Sequence, residues 1–253
     1  LKQGSYKVDK SKSAIEIFNT KAFPENVEFE ALLTFSGEAK GSMIRSVAPD
    51  PDNVSVVQHH SFIKLPDNNY KPRKFDPRSG AISISFMDYS TPIDEPITKK
   101  FVIRHRLEKK NPELEISEAV EPIIYYLDPG TPEPVKSALL EGGRWWNQAY
   151  ESIGFKDAFQ VKMLPEGADP LDCRYNVIQW VHRSTRGWSY GASVVDPRTG
   201  EIIKGHVSLG SLRIRQDYMI AQALTNEPFA SENNNNKMKE LAVARIRQLS
   251  AHE

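Results

Sequence analysis

The sequence predicts an α+β protein: a β-rich first part, then a mixed sheet with helices after about residue 120. Three observations carry that class. Apolar residues recur with period two in the first part, and with helical spacing only after Thr131. From residue 122 the elements run strand, helix, strand, strand, hairpin, helix, helix. A strand–helix–strand start closes a right-handed crossover in a mixed sheet, and the later hairpin adds an antiparallel edge.

In the first part, Val27–Phe35, Val54–Val57, Ser61–Leu65, Ala81–Phe86 and Lys100–Leu107 read as strands. Turn chemistry separates them: Pro49-Asp50-Pro51-Asp52-Asn53, Pro66-Asp67-Asn68-Asn69 and Asp76-Pro77-Arg78-Ser79-Gly80. Glu108 to Glu121 is charged, contains proline and reads as a linker. The expected domains are therefore 1–120, β-rich, and 121–253.

In the second part Ile123–Leu127 is a short buried strand. Thr131 and Pro132 then suit a helix start, and Gly154 suits its stop. Val135, Leu139, Trp146, Tyr150 and Ile153 recur at helical spacing between them. Phe159–Leu164 and Asn176–Val181 are strands. Gly191–Val195 and Glu201–Val207 flank Asp196-Pro197-Arg198-Thr199-Gly200 as a hairpin. A helix is expected near Arg213–Leu224 and a polar loop at Asn233–Asn236. A last helix follows from about Lys237, with Met238, Leu241, Ala242, Ile246 and Leu249 on one face.

Composition narrows the function classes. Lys+Arg and Asp+Glu both number 33 in 253 residues, so no basic excess points to nucleic acid or an anionic membrane. No apolar run has spanning length. The opening run Leu1-Lys2-Gln3-Gly4 lacks a basic start and an apolar core, so no signal peptide is expected in these residues. Cys173 is the only cysteine, which excludes an internal disulfide and a cysteine-rich metal site.

The chemistry-bearing candidate is His252-Glu253. On a helix, two histidines four apart share a face and grip one metal ion, and a Glu directly after the first takes a proton from the metal-bound water. His252 and Glu253 fit the first two places of H-E-x-x-H. Gly191, Ala192, Ser193 and Val194 form a small-residue strand that a peptide can approach closely and pair with. The remaining histidines read as structural. Adjacent His59 and His60 point to opposite faces of a strand, and His206 sits on the second hairpin strand.

Several runs resemble large bacterial zincin-type, metzincin-like metallopeptidases. Arg245–Glu253 is similar to the run leading into their zinc motif. Gly142–Glu151 is similar to the first catalytic-domain helix, Tyr175–His182 to the strand before the cleft, and Gly187–Ile203 to the edge hairpin. Residues 1–120 are similar to a domain of unknown function that precedes the catalytic domain, with Tyr70–Gly80 carrying that match.

The resemblance implies a zincin-like second domain and a zinc-dependent endopeptidase exported by a bacterium, acting on peptide or protein substrates. His252 becomes a zinc ligand, Glu253 the general base, and Gly191–Val194 the substrate-binding edge. The other ligands are expected beyond residue 253, so the chain itself is expected to hold no zinc and to be inactive. Rival expectations are a non-catalytic module binding protein or glycan, and a zincin fold that has lost its metal. Oligomeric state is not legible in the sequence.

Overall fold

The computed structural model describes residues 3–183, 188–225 and 235–253. The chain forms two compact units. One comprises the residues up to Lys64 together with Leu171–Cys173; the other comprises Leu65–Pro170 and Arg174–Glu253.

The first unit is an antiparallel sheet built on one long strand. β1 (Gly4–Val8), β2 (Ala14–Ala22), β3 (Asn26–Ala39) and β4 (Asn53–Ile63) form it, with the short helix α1 (Ser42–Val47) between the last two. β3 is central. β1 and β2 share one of its edges and β4 takes the whole of the other, from Asn26↔Ile63 to Ser36↔Asn53. The two strands expected at Val54–Val57 and Ser61–Leu65 are therefore one.

The bridging histidines obey the pleat. His59 Nε2 lies 2.7 Å from the buried Glu28 carboxylate, and His60 stacks on Phe29 on the opposite face at 4.9 Å. The buried Asn26 donates to the Leu171 carbonyl at 3.0 Å and accepts from the Cys173 amide at 3.0 Å. That exchange explains why three distant residues belong to this unit. β1, β2 and α1 were not foreseen, because their residues lack a clean apolar alternation. In β2 the register shifts between Glu16 and Lys21, and Ile17 and Phe18 stand exposed.

The second unit opens with the hairpin of β5 (Ser83–Met87) and β6 (Thr98–Val102). The strand expected to reach Leu107 stops at Val102, and only Arg104 bridges onward, to Glu201. The stretch read as a linker contains β7 (Ser117–Glu118), which pairs in parallel with β9 (Phe155–Lys156). Its backbone is engaged rather than free, so these residues belong to the second unit.

The main sheet follows. β8 (Ile123–Leu127), β10 (Phe159–Met163), β11 (Asn176–Val181), β12 (Tyr190–Val195) and β13 (Ile202–Gly210) stand in the order β10-β8-β11-β13-β12. The first four in that order are mutually parallel, and β12 is antiparallel to β13 at the edge. This is the mixed sheet that the element order predicts, and with the β-rich first unit it makes the chain α+β.

The helix expected across residues 131–154 is two helices, α2 (Val135–Arg144) and α3 (Trp146–Glu151). Bonds of the tighter i−3 type, Trp145 N to Gly142 O and Gln148 N to Trp145 O, mark the break. α2 also starts late. Pro132 and Pro134 have no N–H to give, which suits only positions ahead of the hydrogen-bonded turns. The Thr131 hydroxyl does not cap; it is buried with no partner.

α4 (Leu212–Thr225) and α5 (Asn235–His252) complete the unit. α5 buries Met238, Ala242, Ile246 and Leu249 at spacings of four, four and three, whereas Leu241 stands outside that face. Ile246 and Leu249 join Leu127, Leu139, Val207 and Leu209 of the sheet and α2 in one core. The expected loop Asn233–Asn236 and residue Gly187 of the expected hairpin run lie, respectively, partly and wholly outside the described residues.

Candidate functional site

α5 delivers His252 and Glu253 to the edge of the main sheet, and its packing fixes where they arrive. A β-carbon added at Gly142 would collide with the Arg247 carbonyl oxygen, so α2 and α5 touch backbone to backbone there. Ser250 Oγ donates to the Leu139 carbonyl at 2.7 Å, and Trp146 Nε1 donates to the Ala251 carbonyl at 2.7 Å. Arg247 Nε meets Glu141 Oε2 at 2.6 Å.

The last turn then meets β12. A β-carbon added at Gly191 would come within 2.7 Å of the Glu253 carbonyl oxygen. Glycine is thus the residue that lets the end of α5 approach this strand. Gly191, Ala192, Ser193 and Val194 oppose Val207, His206, Gly205 and Lys204 of β13. All four are exposed, and β12 is the terminal strand of the sheet order, so its outer edge has no strand partner among the described residues. The structure therefore brings the two sequence-predicted groups together: Glu253 abuts Gly191, with exposed His252 one residue back along α5.

A cleft of about 300 Å³ borders the same end, lined by Arg213, Arg245, Gln248, Leu249, His252 and Glu253. Arg245, Leu249 and His252 are spaced i, i+4, i+7, one face of α5. The two arginines are held by Asp217, a fully buried carboxylate on α4. Arg213 Nε lies 3.1 Å from Asp217 Oδ2, and Arg245 Nε lies 3.5 Å from Asp217 Oδ1. The second contact has ion-pair length without hydrogen-bond geometry, since Oδ1 has no hydrogen-bond partner.

Sequence reasoning missed this trio. The i, i+4 pair Arg213/Asp217 was a visible signal, but nothing local shows that Asp217 is buried.

His206 is a structural histidine. Its Nε2 lies 2.8 Å from Gln179 Oε1, and burial lowers its pKa.

Among the described residues, no group of three His, Cys, Asp or Glu side chains is placed to hold a metal ion. His252 contributes one imidazole. One imidazole does not by itself make a zinc site.

The family model described as a domain of unknown function (DUF5117) matches residues 1–110. That is the kind of domain the first part was expected to be. No curated protein and no solved structure matches the chain.

Proposed function

We propose that the second unit belongs to the catalytic part of a zinc-dependent endopeptidase. The carrying observation is the convergence of Glu253 on Gly191, which sets a helix ending in His-Glu against an exposed edge strand. An extended peptide laid along β12 pairs its backbone with the outer edge by strand addition. The small side chains of Gly191, Ala192 and Ser193 let it approach. In this reading His252 would be one ligand of a zinc set completed by further residues, Glu253 would be the general base beside it, and the metal, when bound, would supply an activated water. An exported bacterial enzyme acting on peptide or protein is the setting that the resemblance supplies.

The test uses the polypeptide extended through the residues that follow Glu253 in its gene. A histidine four residues after His252, casein cleavage, and a fall of about 10²-fold or more in Glu253→Gln with zinc content unchanged are expected. No histidine at that position, or full cleavage by the Glu253→Gln variant, overturns the reading.

A second reading, a binding module, is favoured by one observation: Ile17 and Phe18 of β2 stand exposed on the first unit. It gains ground if the extended polypeptide cleaves nothing.

A further inference from the structure

We propose that the first unit pairs with a second copy of this chain, face to face, through one side of its β1–β4 sheet. Residues opposite one another on neighbouring strands share a face, so the register sorts the side chains. To one side β3 turns Val27, Phe29, Ala31, Leu33 and Phe35, all apolar. Across from them on β4 stand Val54, Val56 and Phe62, with Gln58 and His60 as the polar members. Val8 of β1, with Ile15 and Ala22 of β2, complete that side. It carries no Asp, Glu, Lys or Arg among the paired residues. The charges go to the other side, where Glu28 and Glu30 of β3 share a face with Glu16 and Lys21 of β2 and with His59.

The uncharged side has no second layer. Phe62 is 64% exposed and Ile15 63%, and Val8, Val27 and Val56 stand exposed with them. An antiparallel sheet ordinarily gives its apolar face to a core and its polar face to water.

Size and charge point to the occupant. β3 and β4 pair over eleven residues, a length of about 34 Å, and three strands across span about 14 Å, a footprint of about 500 Å². Side chains standing off a sheet present more surface than its footprint. That brings the face close to a standard interface, about 800 Å² on each partner. Nucleic acid or an anionic membrane needs Lys or Arg on the face and finds none. A partner with a charged surface has to desolvate its charges against apolar side chains. A twofold mate offers the same uncharged face and brings no charge to bury, and a twofold contact uses one patch on both molecules. Two sheets stacked in this way close the core of a β-sandwich across the pair. This inference does not rest on the peptidase reading.

Sedimentation equilibrium of the full chain from about 1 to about 200 μM is expected to show monomer and dimer with a Kd of micromolar order. Val56→Glu puts a charge on the proposed face. Val57→Glu puts the same charge on an exposed neighbour that pairs with Leu32 and so lies on the other side. Val56→Glu is expected to weaken association by about 100-fold or more, and Val57→Glu by less than about threefold. Phe62→Ser, which adds no charge, is expected to weaken it as well, and it decides the matter if circular dichroism shows Val56→Glu unfolded. A chain that stays monomeric at about 200 μM overturns the proposal, and flotation of that monomer with phosphatidylcholine vesicles gives the face to lipid instead. A dimer that Phe62→Ser leaves intact, or that Val57→Glu breaks as readily as Val56→Glu, also overturns it.

Discussion

Burial lowers the His105 imidazole from its usual 6.5 to about 4, because the partly enclosed ring is costly to charge. Its Nε2 lies 3.4 Å from Tyr125 Oη, and the tyrosine is itself pushed up to about 12 by burial. The sign follows from proton counts. Between about pH 6.5 and 4 the unfolded chain holds a proton on this residue and the folded chain does not. The stability tied to His105 is therefore complete above about 6.5 and is lost as pH falls toward 4, to a total of about 3 kcal/mol. Urea unfolding at about pH 7.5 and about pH 4.5 is expected to show a smaller acid loss in His105→Gln than in the unsubstituted chain. An unchanged difference between the two pH values refutes this account. Asp217 is the contrasting residue. It is buried as well, but two guanidiniums stand within ion-pair reach, and in holding them it shapes the cleft beside His252.

Two glycines set how α2 packs, Gly142 against α5 and Gly143 against β10. Gly142 admits the Arg247 backbone, and a methyl at Gly143 would meet Val161 Cγ2 at 2.8 Å. Gly142→Ala forces the helices apart, and overpacking of that kind costs about 1 to 3 kcal/mol. Denaturant midpoints are expected to fall accordingly, whereas Gly80→Ala adds a methyl in open space at a positive φ and owes its cost to backbone strain alone. Equal stability of Gly142→Ala and the unsubstituted chain contradicts this packing.

The helices and strands of the main sheet were legible because their apolar spacing is strong. The boundaries of α2 and α3 were not, because a pair of prolines and a tight turn at Trp145 override a continuous periodicity. β1 and β2 were invisible because mostly exposed strands carry no alternation. At the candidate site, His252, Glu253 and Gly191–Val194 could be read directly. The Arg213–Asp217–Arg245 group could not, since only the packing of α4 on α5 shows that its carboxylate is buried.

At the scale of the molecule, two boundaries differ. The family match ends at residue 110, but the first compact unit ends at Lys64. Residues 65–110 meet the second unit's own strands: Arg104 N donates to the Gly200 carbonyl at 3.1 Å, and Arg106 Nε pairs with Glu201 at 2.7 Å. A polypeptide of residues 1–110 is therefore expected to keep slow amide exchange in β3 and β4 and to lose it in β5 and β6. Equal protection across all four strands argues for a self-sufficient domain of that length.

The turns Asp76–Gly80 and Asp196–Gly200 bear on the same scale. Each bends an arginine back onto its aspartate and closes with a left-handed glycine. Only Arg198 reaches further, to the Pro66 carbonyl and Asn68, and only Asp196 is sealed from solvent. The molecule thus carries its own reference compound: one copy of the turn reports what the local sequence alone sustains. The other copy reports what a surrounding fold adds to the same five-residue pattern.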